Sequence, residues 1–119
     1  MKRRSRLRRQ AEFRSAISGR RIYSGRSLIA FAVPSEGAES RVGVTVSRNL
    51  KGSVQRNRAR RRLRELARVS LLGPDSPLRE VGIRYDVVLI ARPPAVNAEF
   101  AELKVETEQA AIRLANQKP

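Results

Sequence analysis

The chain has 119 residues, with 26 Lys and Arg against 11 Asp and Glu and a formal net charge of +15. That length supports one domain, residues 1–119, around one modest core, and that charge calls for a polyanion: nucleic acid or an anionic membrane surface. With no Cys and no His, thiolate and imidazole catalysis, disulfide-linked partners and the common zinc sites are excluded. No run of about 18 apolar residues exists to span a membrane. The basic N-terminus lacks the apolar stretch of a secretory signal, so a cytoplasmic location is expected.

Residues 5–18 are predicted as a short helix, with Leu7, Gln10, Phe13 and Ile17 near one face and Gly19 as its stop. A short extra strand is expected around residues 21–24. Residues 27–33 read as a strand ended by Pro34, and residues 34–40 as a loop. Residues 41–47 are the clearest strand, with Val42, Val44 and Val46 on one face and Gly43, Thr45 and Ser47 on the other. Ser53 is the expected N-cap of a helix running to about residue 72, where Gly73 and Pro74 end it. Residues 73–84 are predicted as loop and residues 85–91 as an apolar strand closed by Arg92, Pro93 and Pro94. Asn97 is expected to cap a last helix with Phe100, Leu103, Thr107, Ala110, Ala111 and Leu114 facing the core. The order gives an α/β (α+β) sandwich: a small, mostly antiparallel sheet of about four strands with one parallel pair, packed by about three helices.

The charge is uneven. Residues 1–26 hold ten bases and one acid, residues 41–68 ten bases and one acid, and residues 69–119 six bases against seven acids. The second basic zone is a helix with two arcs. Ala59, Leu63, Leu66 and Ser70 follow steps of four, three and four, and Asn57, Arg61, Arg64 and Arg68 do the same on the opposite side. One arc can dock on a core while the other presents guanidinium groups. Arg60 and Arg62 flank the exposed arc, and Arg56 sits nearer the core side, where it can brace the preceding loop. Like charges this dense destabilise a free helix, and a phosphate partner reverses that penalty. Arginine suits bidentate phosphate contacts and stacking on bases. Arg3, Arg4, Arg6, Arg8 and Arg9 form a basic segment expected to order on RNA. Phe13 and Phe31 can be either core residues or stacking platforms for single-stranded RNA.

The run from Arg41 to Ser47, Arg-Val-Gly-Val-Thr-Val-Ser, followed from Val54 by Val-Gln-Arg-Asn-Arg-Ala-Arg-Arg-Arg-Leu-Arg-Glu, resembles the signature of the bacterial ribonuclease P protein component. The basic segment leading to Phe13 resembles that family's opening helix, and the stretch from Tyr85 to Pro94 its last strand and exit. Two departures stand out. The family usually has Gly where Lys51 stands, and Gly52 follows one residue later; its first helix often carries a second aromatic where this chain has Ile17.

The resemblance implies a protein subunit that assembles with a catalytic RNA, which removes the 5′ leader of precursor tRNA with Mg²⁺ bound mainly through the RNA. It implies no catalytic residue on the protein and no protein metal site. It places Arg56, Asn57, Arg58, Arg60, Arg61, Arg62, Arg64 and Arg68 at the catalytic RNA. Phe13, Ile17, Phe31, Thr45 and Ser47 fall in a leader-binding cleft between the first helix and the sheet. It also implies a left-handed strand–helix–strand crossover, against the usual right-handed preference. A non-enzymatic rRNA-binding ribosomal or assembly protein shares the composition. A helix-turn-helix DNA binder is disfavoured because the basic helix follows a strand.

Overall fold

The computed structural model describes residues 6–7, 9–35, 37, 39–82 and 84–117. Four strands, β1 (Arg20–Ser24), β2 (Leu28–Pro34), β3 (Arg41–Val46) and β4 (Tyr85–Ala91), form one sheet in the order β1-β2-β4-β3. β1 with β2 and β2 with β4 are antiparallel, whereas β3 and β4 are parallel. A parallel pair needs a long connection. Here it is α2 (Ser53–Ser70) followed by α3 (Pro77–Val81). α1 (Gln10–Ile17) precedes the sheet, and α4 (Phe100–Ala115) follows β4 after a 3₁₀ turn at Pro93–Val96.

Strand alternation assigns the two faces. Val42, Val44 and Val46 join Val87, Leu89, Ala91, Leu28 and Ala30 on the inner face, in one buried cluster with Ala59, Leu63 and Leu66 of α2 and Leu103, Ala111 and Leu114 of α4. The arc Ala59–Leu63–Leu66–Ser70 is buried as its spacing predicts. α1 packs on the outer face, where Ala16, Leu7 and Val88 form a second buried cluster with Phe13, Val33 and Ile90 against it.

Several boundaries differ from expectation, each for a local reason. The first helix starts at Gln10, not near residue 5. Arg6 instead forms a parallel bridge to Val42, and the Leu7 amide donates to the Val42 carbonyl at 3.1 Å. Burying Leu7 and pairing the edge of β3 outweigh the helix propensity of that short segment. α2 is capped by Gly52, not Ser53: the chain enters at φ +90°, a conformation glycine adopts without strain. The expected 73–84 loop contains α3, with Pro77 in its first turn and the Ser76 hydroxyl accepting from the Leu78 amide at 3.2 Å. Asn97 closes the 3₁₀ turn, and Glu99 is the N-cap of α4. Phe100 is 46% exposed and does not join the core face of α4. Its ring instead lies under the Arg62 guanidinium, 6.0 Å from centroid to Cζ.

Candidate nucleic-acid interface

A groove opens where α1, β3 and α2 meet. It is lined by Arg6, Leu7, Phe13, Val42, Gly43, Val44, Arg60 and Arg64. The apolar members form the floor and the three arginines the polar lining. Gly43 makes the arrangement possible, because the Phe13 ring sits where a side chain at that position would go. Burial, reinforced by repulsion from Arg6 and Arg60, holds the Arg64 pKa below its ordinary value. A bound anion would relieve that repulsion.

The position of α1 over the groove is set by charge. Arg41, on the outer face of β3, donates to both Asp86 oxygens, at 3.0 and 2.7 Å, and also pairs with Glu12 in the first turn of α1. Glu12 accepts from the Arg9 amide as well, at 3.0 Å, so one carboxylate caps the helix and ties it to the sheet. The bond to Asp86 is the largest of several contributions that raise the Arg41 pKa.

The predicted arginines divide into distinct environments. Arg56 donates to the carbonyls of Ser47 and Leu50, at 3.2 and 2.8 Å, bracing the loop before α2. Arg58 donates to the Val96 carbonyl at 2.8 Å. One turn on, Arg62 is half-buried rather than outward-facing: it donates to Ala95 and Val96 at 2.8 and 2.9 Å, and to Ala98. Desolvation, then repulsion from Arg58, lowers the Arg62 pKa. This flank of α2 meets the 3₁₀ turn, which the helical pattern of α2 alone does not reveal. Asn57 accepts from Arg60 at 2.8 Å, and Arg68 pairs with Glu65 at 2.6 Å. Among the described residues the exposed Arg61 makes no hydrogen bond or ion pair.

Of the predicted cleft residues, Phe13 lies in the groove. Ile17, in the last turn of α1, is 38% exposed. Phe31 and Thr45 are half-buried and belong to the outer face by register, beside Val88 and Ile90. Ser47 follows β3, its hydroxyl accepting from the Asn49 amide at 3.2 Å and its own amide donating to Ala91. Sequence reasoning placed Arg6 only in a basic tail, whereas it reaches the groove. Arg3, Arg4 and Arg8 lie outside the described residues.

Fold and site together define a basic α/β domain that presents arginines and a half-open sheet face to a polyanion. A family model described as Ribonuclease P matches residues 1–115. The ribonuclease P protein component of Chloroflexus aurantiacus is 40% identical over 105 residues, covering 87% of this chain and 73% of that protein. That of Acidothermus cellulolyticus is 33% identical over 117 residues, covering 97% and 92%. In fold the chain is similar to the RNase P protein of Staphylococcus aureus, with a TM-score of 0.70 at 23% identity over 94% of this chain and 95% of that one. It is similar also to that of Thermotoga maritima, with a TM-score of 0.70 at 20% identity over 91% and 96%. The chain belongs to the ribonuclease P protein component family, which implies an RNA partner and a role in tRNA processing.

Proposed function

We propose that this protein assembles with the catalytic RNA of ribonuclease P in the cytoplasm and holds the 5′ leader of precursor tRNA along the groove between α1 and the sheet. Arg61 and Arg68, with Asn57, contact the catalytic RNA from the outer side of α2, and Arg60 and Arg64, which line the groove, stand between that RNA and the leader. Arg56, Arg58 and Arg62 carry mainly the scaffold from which those contacts are made. Phe13, Ile17, Phe31 and Thr45 border the leader, and Ser47 shapes the end of its path. The observation that carries this reading is the groove itself, an apolar floor walled by three arginines, the pairing of surfaces that suits stacked bases and a phosphate backbone.

The reading leaves the chemistry to the RNA. The groove's polar lining is cationic and repels a divalent cation, and the nearby carboxylates Glu12 and Asp86 are held by Arg41. These residues do not fit a protein-held Mg²⁺, which supports the reading that the RNA phosphates hold it. The protein's part is to neutralise phosphate repulsion and position the leader.

Reconstitution tests this. Precursor tRNA and ribonuclease P RNA are incubated with and without the protein at Mg²⁺ too low for the RNA to act alone. Cleavage of the leader only when the protein is present is expected. No stimulation with cognate RNA and folded protein overturns the proposal.

A further inference from the structure

The outer face of the sheet continues past the groove. Strand register sets Gly43, Val88, Phe31 and Arg21 side by side in one row, and Thr45, Ile90, Ile29 and Ser24 in the next. The first row is closed at Val88, which is fully buried beneath α1. The second stays open: Thr45, Ile90 and Ile29 are half-buried and Ser24 is exposed. At about 4.8 Å per strand, this band crosses roughly 14 Å from β3 to the free edge of β1.

Arginines bracket the band where it leaves the sheet. Arg21 stands on the α1 side of Ser24, and Arg26 lies in the β1–β2 turn on the other. A β-bulge between Arg21 and Tyr23 brings Arg21 and Ser24, three residues apart, to the same face. Both arginines are exposed, and among the described residues neither guanidinium makes a hydrogen bond or ion pair.

We propose that the β1 edge, through Arg21 and Arg26, is a second phosphate-binding surface that takes the distal part of the single-stranded RNA entering at the groove. This rests on reading the groove as the leader site. Ile90, Ile29 and Phe31 offer bases an apolar floor, and the two guanidinium groups hold the backbone as it leaves. The layout favours a single strand, because Ile90 and Ile29 form an apolar stretch between Thr45 and Ser24, with Arg21 and Arg26 where the band reaches β1.

The test uses the assembled holoenzyme and two precursor tRNAs, one with a leader too short to leave the groove and one long enough to cross the sheet. The wild-type complex is expected to bind the longer leader more tightly. The Arg21→Gln/Arg26→Gln double variant is expected to lose about tenfold of that gain, with a salt dependence shallower by about 0.7 per arginine, and to bind the short leader as before. Lys104→Gln, an exposed change on α4, is expected to leave both affinities unchanged. Full retention of the gain in the double variant overturns the proposal while the groove reading stands. An equal loss in Lys104→Gln overturns it too, by reducing the effect to net charge. Absence of any length-dependent gain in the wild type, with no response to Phe13→Ala, removes the groove reading and this proposal together.

Discussion

The Phe13 ring stands 2.5 Å from the point a Cβ on Gly43 would occupy. The ring is a rigid body packed against Leu7, Ala16 and Val88, so it cannot yield without moving α1. Gly43→Ala is therefore expected to cost about 1–3 kcal/mol through overpacking, and to weaken leader binding as α1 lifts. Thermal denaturation reads the first effect. Adding Phe13→Leu, which removes the clashing ring edge, should recover part of the lost stability. A Gly43→Ala protein that melts like the wild type shows that the contact is slack.

Arg41 joins α1 to the sheet, and its removal takes a cationic partner from Asp86 and from Glu12 at once. Arg41→Gln is expected to destabilise by about 1–3 kcal/mol, between the values for exposed and buried pairs. Amide exchange should accelerate in α1 far more than in α4. Combining it with Asp86→Asn should restore some stability, because the Asp86 charge that lost its Arg41 partner is gone. Uniform acceleration across both helices argues against a specific tether.

Arg61 and Arg62 are neighbours in sequence with opposite expected behaviour. Arg62→Ala unpairs the bonds to Ala95, Val96 and Ala98, an expected loss of about 1.5–3 kcal/mol seen by denaturant titration. Arg61→Ala should leave the midpoint within about 0.5 kcal/mol, and make RNA binding less salt-dependent by about 0.7–0.9 in log–log slope. Equal effects of the two variants on stability are incompatible with this division.

Tyr23 gives the fold an alkaline limit. Burial, with the Glu106 carboxylate beside its hydroxyl at 3.1 Å, raises its pKa to about 12 from 10.0. The folded state thus favours the neutral phenol. Its contribution is fully present below pH 10, declines as pH rises towards about 12, and amounts to about 2–3 kcal/mol. Stability measured across that window should fall more steeply for the wild type than for Tyr23→Phe. Parallel curves rule the linkage out.

Much of this architecture was legible because strand alternation and helix periodicity are local. The valines of β3, the buried arc of α2 and the β4 span 85–91 follow directly from residue spacing. What escaped depends on neighbours distant in sequence. Nothing near Arg62 announces that carbonyls more than thirty residues later will take its guanidinium, nor that Phe100 will lie under the same group instead of facing the core. Leu7 looks helical until the open edge of β3 is there to pair with. For α3 a signal was present, the Ser76–Pro77 pair that commonly opens a helix, and the surrounding Gly and Pro masked it. In the site, the alternation that puts Gly43 and Thr45 on the outer face of β3, away from the valines, was readable. The convergence of Arg6, Arg60 and Arg64 was not, since it joins two elements across a strand.

The pairing of Leu7 with Val42 bears on self-association. An open strand edge can template another chain, and this sheet guards its two edges differently. At β3 the protein's own backbone occupies part of the ladder. At β1 the guard is electrostatic, since a second copy docking there would bring Arg20 and Arg21 against their own counterparts. The first guard is insensitive to ionic conditions, whereas the second weakens in concentrated salt. Edge-to-edge aggregation during purification, should it occur, is therefore expected to start at β1 and to grow with ionic strength.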